Sequence, residues 1–295
     1  MDTKLIPLNR NFIFIQVFYH HGGIKRLERF ISDYFELDYE KVKNHLSYLP
    51  RDEENDSKFE VETQVDLLLD YEGNTINIEL NNNNSLGIKQ RNLIYLHKAA
   101  AKKYEKGKKT YEIKGKTIQI NLNNFKSNQE KLVNKYRLYE EEINILYSET
   151  FRIDEVDLTL PLTKDYKYKN EWEEKIGRWC LLFNCNNAVD FKNICDKMLP
   201  REESERFVDI MKKLSSDKNY IIMENDREML RNTIIKETRE EGIELGKQEG
   251  IELGKQEGIE LGVLQTAKKL LKENVDINII SKSTGLSIEE INKLK

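Results

Sequence analysis

The sequence predicts an α/β fold: an αβββαβ sheet domain, then an all-α region, then a repeat-bearing helical tail. Three observations lead there. Residues 60–71 (EVETQVDLLLDY) and 75–81 (TINIELN) alternate with period two, as half-buried strands do. A helical pattern over 86–104 and a third strand pattern at 117–122 (TIQINL) follow them. From residue 171 onward the apolar spacing turns helical.

Taken in order, residues 24–35 carry an amphipathic helical pattern, and 44–49 is the candidate for the strand that the layout needs before the hairpin. Glu72-Gly73-Asn74 is the hairpin turn, with Gly and Asn to absorb positive φ. Turns centred on Glu72-Gly73 or on Gly73-Asn74 both pair even positions of the first strand with odd positions of the second. Opposed side chains share a face. Glu62, Gln64, Asp66 and Asp70 therefore join Thr75, Asn77, Glu79 and Asn81 on one side. Val61, Val65, Leu67, Leu69, Ile76, Ile78 and Leu80 take the other. The first register sets Asp66 opposite Glu79, the second opposite Asn81. Either brings two carboxylates and an amide within reach of one divalent cation.

Two carboxylates that close repel each other, and a shared proton or a bound cation relieves them. Mg²⁺ or Mn²⁺ suits an all-oxygen site with one or two carboxylates and several waters. Such an ion polarises a phosphodiester and activates its water. The same acidic pattern also suits a solvated outer face. The 86–104 helix carries Arg91 and Tyr95 one turn apart, then Lys98, Lys102 and Lys103. From Lys89 to Lys116 there are ten Lys/Arg against two Glu, a footprint of the kind that contacts phosphates.

The segment from Gln64 to Phe125 resembles the core of the PD-(D/E)xK nuclease family transposases, also called recombination-promoting nucleases. The resemblance rests on the VD of Asp66, the IELN of Glu79 to Asn81, the RN…Y of Arg91 and Tyr95, and the IQIN around Gln119. The opening NRNFIFIQVF and the EGIELGKQ tail are similar to segments that the family carries. It implies a restriction-endonuclease-like core and an Mg²⁺-dependent (or Mn²⁺-dependent) DNA endonuclease. Asp66 and Glu79 would be metal ligands, with the Leu80 carbonyl as a further one. Asn81 occupies the family's Lys position; an amide is no general base but can hold a water. Arg91 would grip a phosphate with its planar fork, supported by Tyr95. Asn11 and Ile15 stand where relatives often show Asp and Lys, and Glu28 is a substitute for the missing upstream acid. Recombination or a mobile-element role follows from the family alone. The rival expectation is a catalytically silent nuclease-fold protein that binds nucleic acid or a partner.

The net charge of −4 over 295 residues sets up no whole-chain field for nucleic acid. No apolar run is long enough to span a bilayer, and the N-terminus lacks a secretory pattern, so the cytoplasm is expected. Cys180, Cys185 and Cys195 have no CxxC spacing and read as reduced core thiols. No Walker or Rossmann glycine loop occurs.

Strand-like runs over 133–160 (KYRLYEE, INILY, FRIDEVDLTL) extend the sheet, and a polar, Pro-containing stretch ends a nuclease domain at 1–165. A helical region spans 166–240, with Trp172, Ile176, Trp179 and Phe183 at core spacing. Residues 241–262 repeat EGIELGKQ with Gly every fourth position, each costing about 1 kcal/mol in a helix interior. They read as a spacer or a dimerising helix, and a homodimer would cut both strands. Residues 263–295 have a helix-turn-helix outline, with Asp276 as a cap and a Ser287/Glu290 capping box. Glu289 and Glu290 at the start of the last helix favour partner binding over DNA reading.

Overall fold

The hairpin turns on Glu72 and Gly73, both at positive φ (49° and 78°). That conformation matches the right-handed twist of the strands it joins. Strand β2 (Leu67–Tyr71) pairs antiparallel with β3 (Asn74–Asn81), Tyr71 opposite Asn74 and Leu67 opposite Ile78. Of the two registers open to the sequence, this is the one that aligns Asp66 with Glu79. The computed structural model describes residues 3–50, 65–84, 87–101, 115–127 and 130–294, so Val61, Glu62 and Gln64 lie outside the described residues.

Ahead of the hairpin come α1 (Asn11–Phe18), α2 (Ile24–Phe35), α3 (Tyr39–His45) and β1 (Leu46–Tyr48). After it come α4 (Ile88–Ala101), β4 (Thr117–Asn123), β5 (Val133–Tyr136) and β6 (Phe151–Asp157). The six strands lie in the order β1-β2-β3-β4-β6-β5. Pairings β3–β4 and β4–β6 are parallel and the others antiparallel. A mixed sheet with helices is the expected α/β class.

One sheet face is apolar. Leu67, Leu69, Ile76, Ile78, Leu80, Ile118, Ile120 and Leu122 bury there. They meet α2 through Leu27, Phe30, Ile31 and Tyr34, an i, i+3, i+4, i+7 stripe. The same core continues through α5 (Glu171–Asn184), α6 (Ala188–Met198) and α7 (Arg201–Ser216), by way of Ile176, Trp179, Phe191, Phe207 and Met211. Trp172 and Trp179 are structural, as expected. Their indole N–H groups donate to the Tyr34 carbonyl (2.9 Å) and to Asp33 (2.8 Å). The three cysteines are free and buried. Beneath the sheet, Asp154 is fully buried, yet it accepts from Arg152 (2.7 Å) and Tyr34 (2.9 Å), as a buried charge requires.

The other face is covered by α4, whose Asn92, Leu96, Ala99 and Ala100 face inward. The apolar patch there is small: Val65, Leu68 and Ala99, with Leu49 and Tyr95 against them. Two expectations need correction. Val65 sits on the α4 side rather than the apolar face, because the chain bends at Asp66 before strand pairing starts. The INILY run forms no strand; Ile143, Ile145 and Tyr147 are exposed, and only an isolated Tyr139–Leu146 bridge forms there. Alternating apolar residues make a strand only where a sheet edge receives them.

The contacts define two units, Met1–Glu224 and Asn225–Lys295. Helix α8 (Lys218–Lys272) includes the glycine repeat. In the second unit, Ala267, Ile280 and Ile291 form a small core with α9 (Ile277–Thr284) and α10 (Ile288–Asn292). Asp276 caps α9, and the Ser287/Glu290 capping box forms as expected. No helix among the described residues is long and apolar enough to cross a membrane.

Gly115, two residues before β4, has φ +75°, and a Cβ there would stand 2.2 Å from the carbonyl oxygen of Gly73. Gly73 itself, at φ +78°, has nothing within 4 Å of its own Cβ position. Gly73→Ala should cost only the left-handed backbone term, about 1–2 kcal/mol. Gly115→Ala should lower the melting temperature further, since backbone must move. Equal shifts in thermal denaturation would show that the contact imposes nothing.

Candidate functional site

The register carries Asp66 and Glu79 to one point on the α4 face. The Asp66 backbone N–H donates to Glu79 Oε1 at 3.3 Å, and the Leu80 N–H donates to Asp66 Oδ2 at 2.8 Å. Each carboxylate is thus tied to the other strand's backbone. Glu79 is 3% exposed. Burial first, and the charge of Asp66 second, push its pKa up to about 8, against opposing pulls from Asn77, the Asp66 N–H and Arg91. A carboxylate in that state awaits a proton or a cation.

Around the pair lies a layer of amides. The parallel register sets Asn77 beside Gln119, Glu79 beside Asn121, and Asn81 beside Asn123. Asn77, Thr117, Gln119 and Asn121 are fully buried. Both amide atoms of Asn77, Thr117 Oγ1, Gln119 Oε1, Asn121 Nδ2 and Asn92 Oδ1 have no hydrogen-bond partner among the described residues. Asn77 is near enough to influence Glu79, but its amide does not reach bonding geometry. Buried orphans of this kind cost about 1–3 kcal/mol each unless something polar meets them. The donor set is oxygen-rich, with two carboxylates and neutral carbonyls. That fits a hard divalent cation such as Mg²⁺ or Mn²⁺ and does not fit a thiolate-seeking or imidazole-seeking metal. Among the described residues, no group of three or more His, Cys, Asp or Glu competes with it.

Asn81 is 1% exposed and bonded at both ends. Its Nδ2 donates to Asn123 Oδ1 at 2.9 Å, and its Oδ1 accepts from Arg91 Nη2. Asn81 is thus held at both ends, where the resemblance implied that its amide could hold a water. The Arg91 guanidinium lies 5.6 Å from the Tyr95 ring centroid, a cation–π support. Leu80 contributes backbone between the two site side chains, and its own side chain is buried in the apolar core. Lys98 follows on the last turn of α4. Lys102 and Lys103 lie outside the described residues.

Asn11 reaches the edge of the site: its Oδ1 accepts from Asn82 Nδ2. Asn82 accepts in turn from Asn124 (3.0 Å), which accepts from Asn9 (3.2 Å). Asn9 also donates to Asn184 (2.8 Å). This amide chain ties the N-terminal segment to the carboxyl ends of β3 and β4. Ile15 packs against the core and offers no polar group. Glu28 is not brought to the site. It is buried on α2, accepts from Tyr39 at 3.2 Å, and its pKa is raised mainly by burial. Sequence reasoning passed over Asn121, Asn123 and Asn124, although the alternation QINLN held the signal.

Folded Glu79 holds its proton to higher pH than an unfolded Glu, whose ordinary value is 4.5. With chelator present, stability should therefore fall as pH rises from 4.5 toward 8. Glu79→Gln should flatten that slope. Denaturant melts at several pH values check it; an unchanged slope in the variant would assign the effect elsewhere.

Among known proteins, no curated protein and no solved structure matches the chain. The sequence model of the PD-(D/E)XK nuclease family transposase matches residues 8–237, which include the hairpin, α4, β4 and the helices α5–α7. With that match over most of its length, the chain belongs to the PD-(D/E)XK nuclease family transposases.

Proposed function

We propose that the chain is a divalent-cation-dependent DNA endonuclease acting through Asp66 and Glu79. The observation that carries this reading is the pairing of buried Glu79 with half-buried Asp66, Glu79 Oε1 lying 3.3 Å from the Asp66 nitrogen. Asp66 and Glu79 would hold Mg²⁺ or Mn²⁺, with the Leu80 carbonyl beside them. The ion, when bound, supplies Lewis-acid polarisation of the phosphodiester and a water of lowered pKa. Arg91 binds the phosphate through its fork, Asn81 aims Arg91, and Asn123 fixes Asn81. Tyr95 supports the guanidinium, and Lys98 carries positive charge further along the DNA. The order α3–β1–β2–β3–α4–β4 supports a restriction-endonuclease-like core. A homodimer would place one centre on each strand, as recombination or a mobile element requires, with residues 241–262 as the pairing or spacing element.

A specific observation favours a second reading. Asn81 has neither charge nor basicity, and both its ends are occupied. Asn11 is neutral too. A silent protein would keep the fold and bind nucleic acid or a partner through the Lys-rich face.

Supercoiled and linear DNA incubated with Mg²⁺, Mn²⁺ or chelator separate the readings. The enzyme should cut with metal, and Asp66→Ala or Glu79→Ala should lower cleavage about a hundredfold or more. Intact DNA with both metals, together with no calorimetric metal binding that depends on Asp66, would establish the silent protein. Since Asn81 acts through Arg91, Asn81→Ala/Arg91→Ala should cleave no more slowly than Arg91→Ala alone. DNA affinity should fall steeply with salt; a flat salt response would remove the phosphate contacts.

A further inference from the structure

A second charged site lies at the other end of α1 from Asn11, about 12 Å away along the helix axis. There the turn His20-His21-Gly22-Gly23 leads into α2 and faces the start of α7. A cavity of about 160 Å³ is lined by Gly22, Lys25, Arg26, Arg29, Glu203 and Arg206, with Leu199 and Glu202 completing the wall.

Its charges do not balance. Four cations face two carboxylates, and Arg29 closes its fork on Glu203 through two bonds of 3.1 Å. Lys25, Arg26 and Arg206 are left against Glu202. Arg26 is 7% exposed, and its Nε and Nη2 donate to neutral groups, the carbonyls of Val17 (3.0 and 2.6 Å) and His21 (3.0 Å), while it forms no salt bridge among the described residues. Its face also lies 5.2 Å from the Phe207 ring centroid. A buried guanidinium without a carboxylate is costly and calls for an anion nearby. Burial lowers its pKa to about 10, and Arg206 adds to the fall. Lys25 and Arg206 are exposed and form no salt bridge among the described residues, although the charge of Lys25 reaches Glu28. Gly22 lies beside this group: its Cβ position would stand 4.0 Å from Arg206 Nη2, in ordinary van der Waals contact, and its φ of +71° suits glycine.

We infer that this cavity binds a phosphate group, held by Arg206, Lys25 and the buried Arg26. The surplus of two positive charges matches a phosphate monoester better than a singly charged carboxylate. Neither Asp66, Glu79 nor Arg91 takes part, so the site stands or falls apart from the nuclease reading.

The test uses the full chain in chelator, titrated with inorganic phosphate against chloride at matched ionic strength and followed by calorimetry. Saturable binding of one phosphate is expected. Arg206→Glu and Lys25→Glu, both at exposed positions, should weaken it about tenfold or more, the loss of one charge-assisted bond. Lys164→Glu, an exposed charge outside the cavity, should leave it unchanged. Competition by a 5′-phosphorylated oligonucleotide, but not by its 5′-hydroxyl form, would identify a nucleic-acid end as the source. Competition by both forms would identify backbone diesters, and competition by nucleoside monophosphate alone a free small ligand. Absent saturation, or binding unchanged in Arg206→Glu and Lys25→Glu variants that melt like the parent, would overturn the inference.

Discussion

The register of one hairpin governs the site. Glu72 and Gly73 both adopt positive φ, and this sets Tyr71 opposite Asn74. Every later pairing follows in steps of one, until Asp66 meets Glu79. A slip by one residue would send one carboxylate into the apolar core and the other to α4. The turn therefore fixes the chemistry at a distance, through the rigidity of a two-residue side-chain period.

The two faces of the sheet solve different problems. The apolar face buries aliphatic and aromatic side chains against α2, α5 and α7 and carries most of the burial. The α4 face is lined with asparagine, glutamine and threonine, and among the described residues its apolar patch is Val65, Leu68 and Ala99, with Leu49 and Tyr95 against them. Leaving Asn77, Gln119 and Asn121 with unmet bonding groups opposes stability. Natural folds tolerate such breaches mainly where function needs them. The raised Glu79 pKa has the same origin: a carboxyl group in a dry layer beside the charge of Asp66 resists ionisation.

Asparagine serves this protein as a connector. Asn123, Asn81 and Arg91 form one chain of side-chain bonds. Asn9, Asn124, Asn82 and Asn11 form another along the carboxyl ends of β3 and β4. An amide both donates and accepts, so successive asparagines can pass direction along a row without any net charge. Among the described residues, that neutrality leaves the field at Glu79 to a few named groups, Asp66 and Arg91 among them.

Local pattern was enough to identify the strands of the hairpin, the third strand, helices α2 and α4, the caps of the last two helices and the acid pair. Each of these rests on near neighbours: period, turn residues, capping spacing. What lay beyond reach depended on distant partners. Two turn centres were open at Gly73, and backbone contact with Gly115 accompanies the one adopted. Ile143 to Tyr147 had the look of a strand but no edge to join, and Glu28 had the right chemistry but sits on α2 beside Tyr39. The occupation of Asn81 by Arg91 and Asn123 was decided by the parallel stacking of β4 on β3, since side chains 42 positions apart become neighbours only when the sheet closes. By itself the sequence determined which residues alternate, where the chain turns, and that Asp66 and Glu79 share a face. Only tertiary structure decided which amides bury beside them and how far the Glu79 pKa rises, because desolvation depends on everything packed around a group and not on its neighbours in the chain.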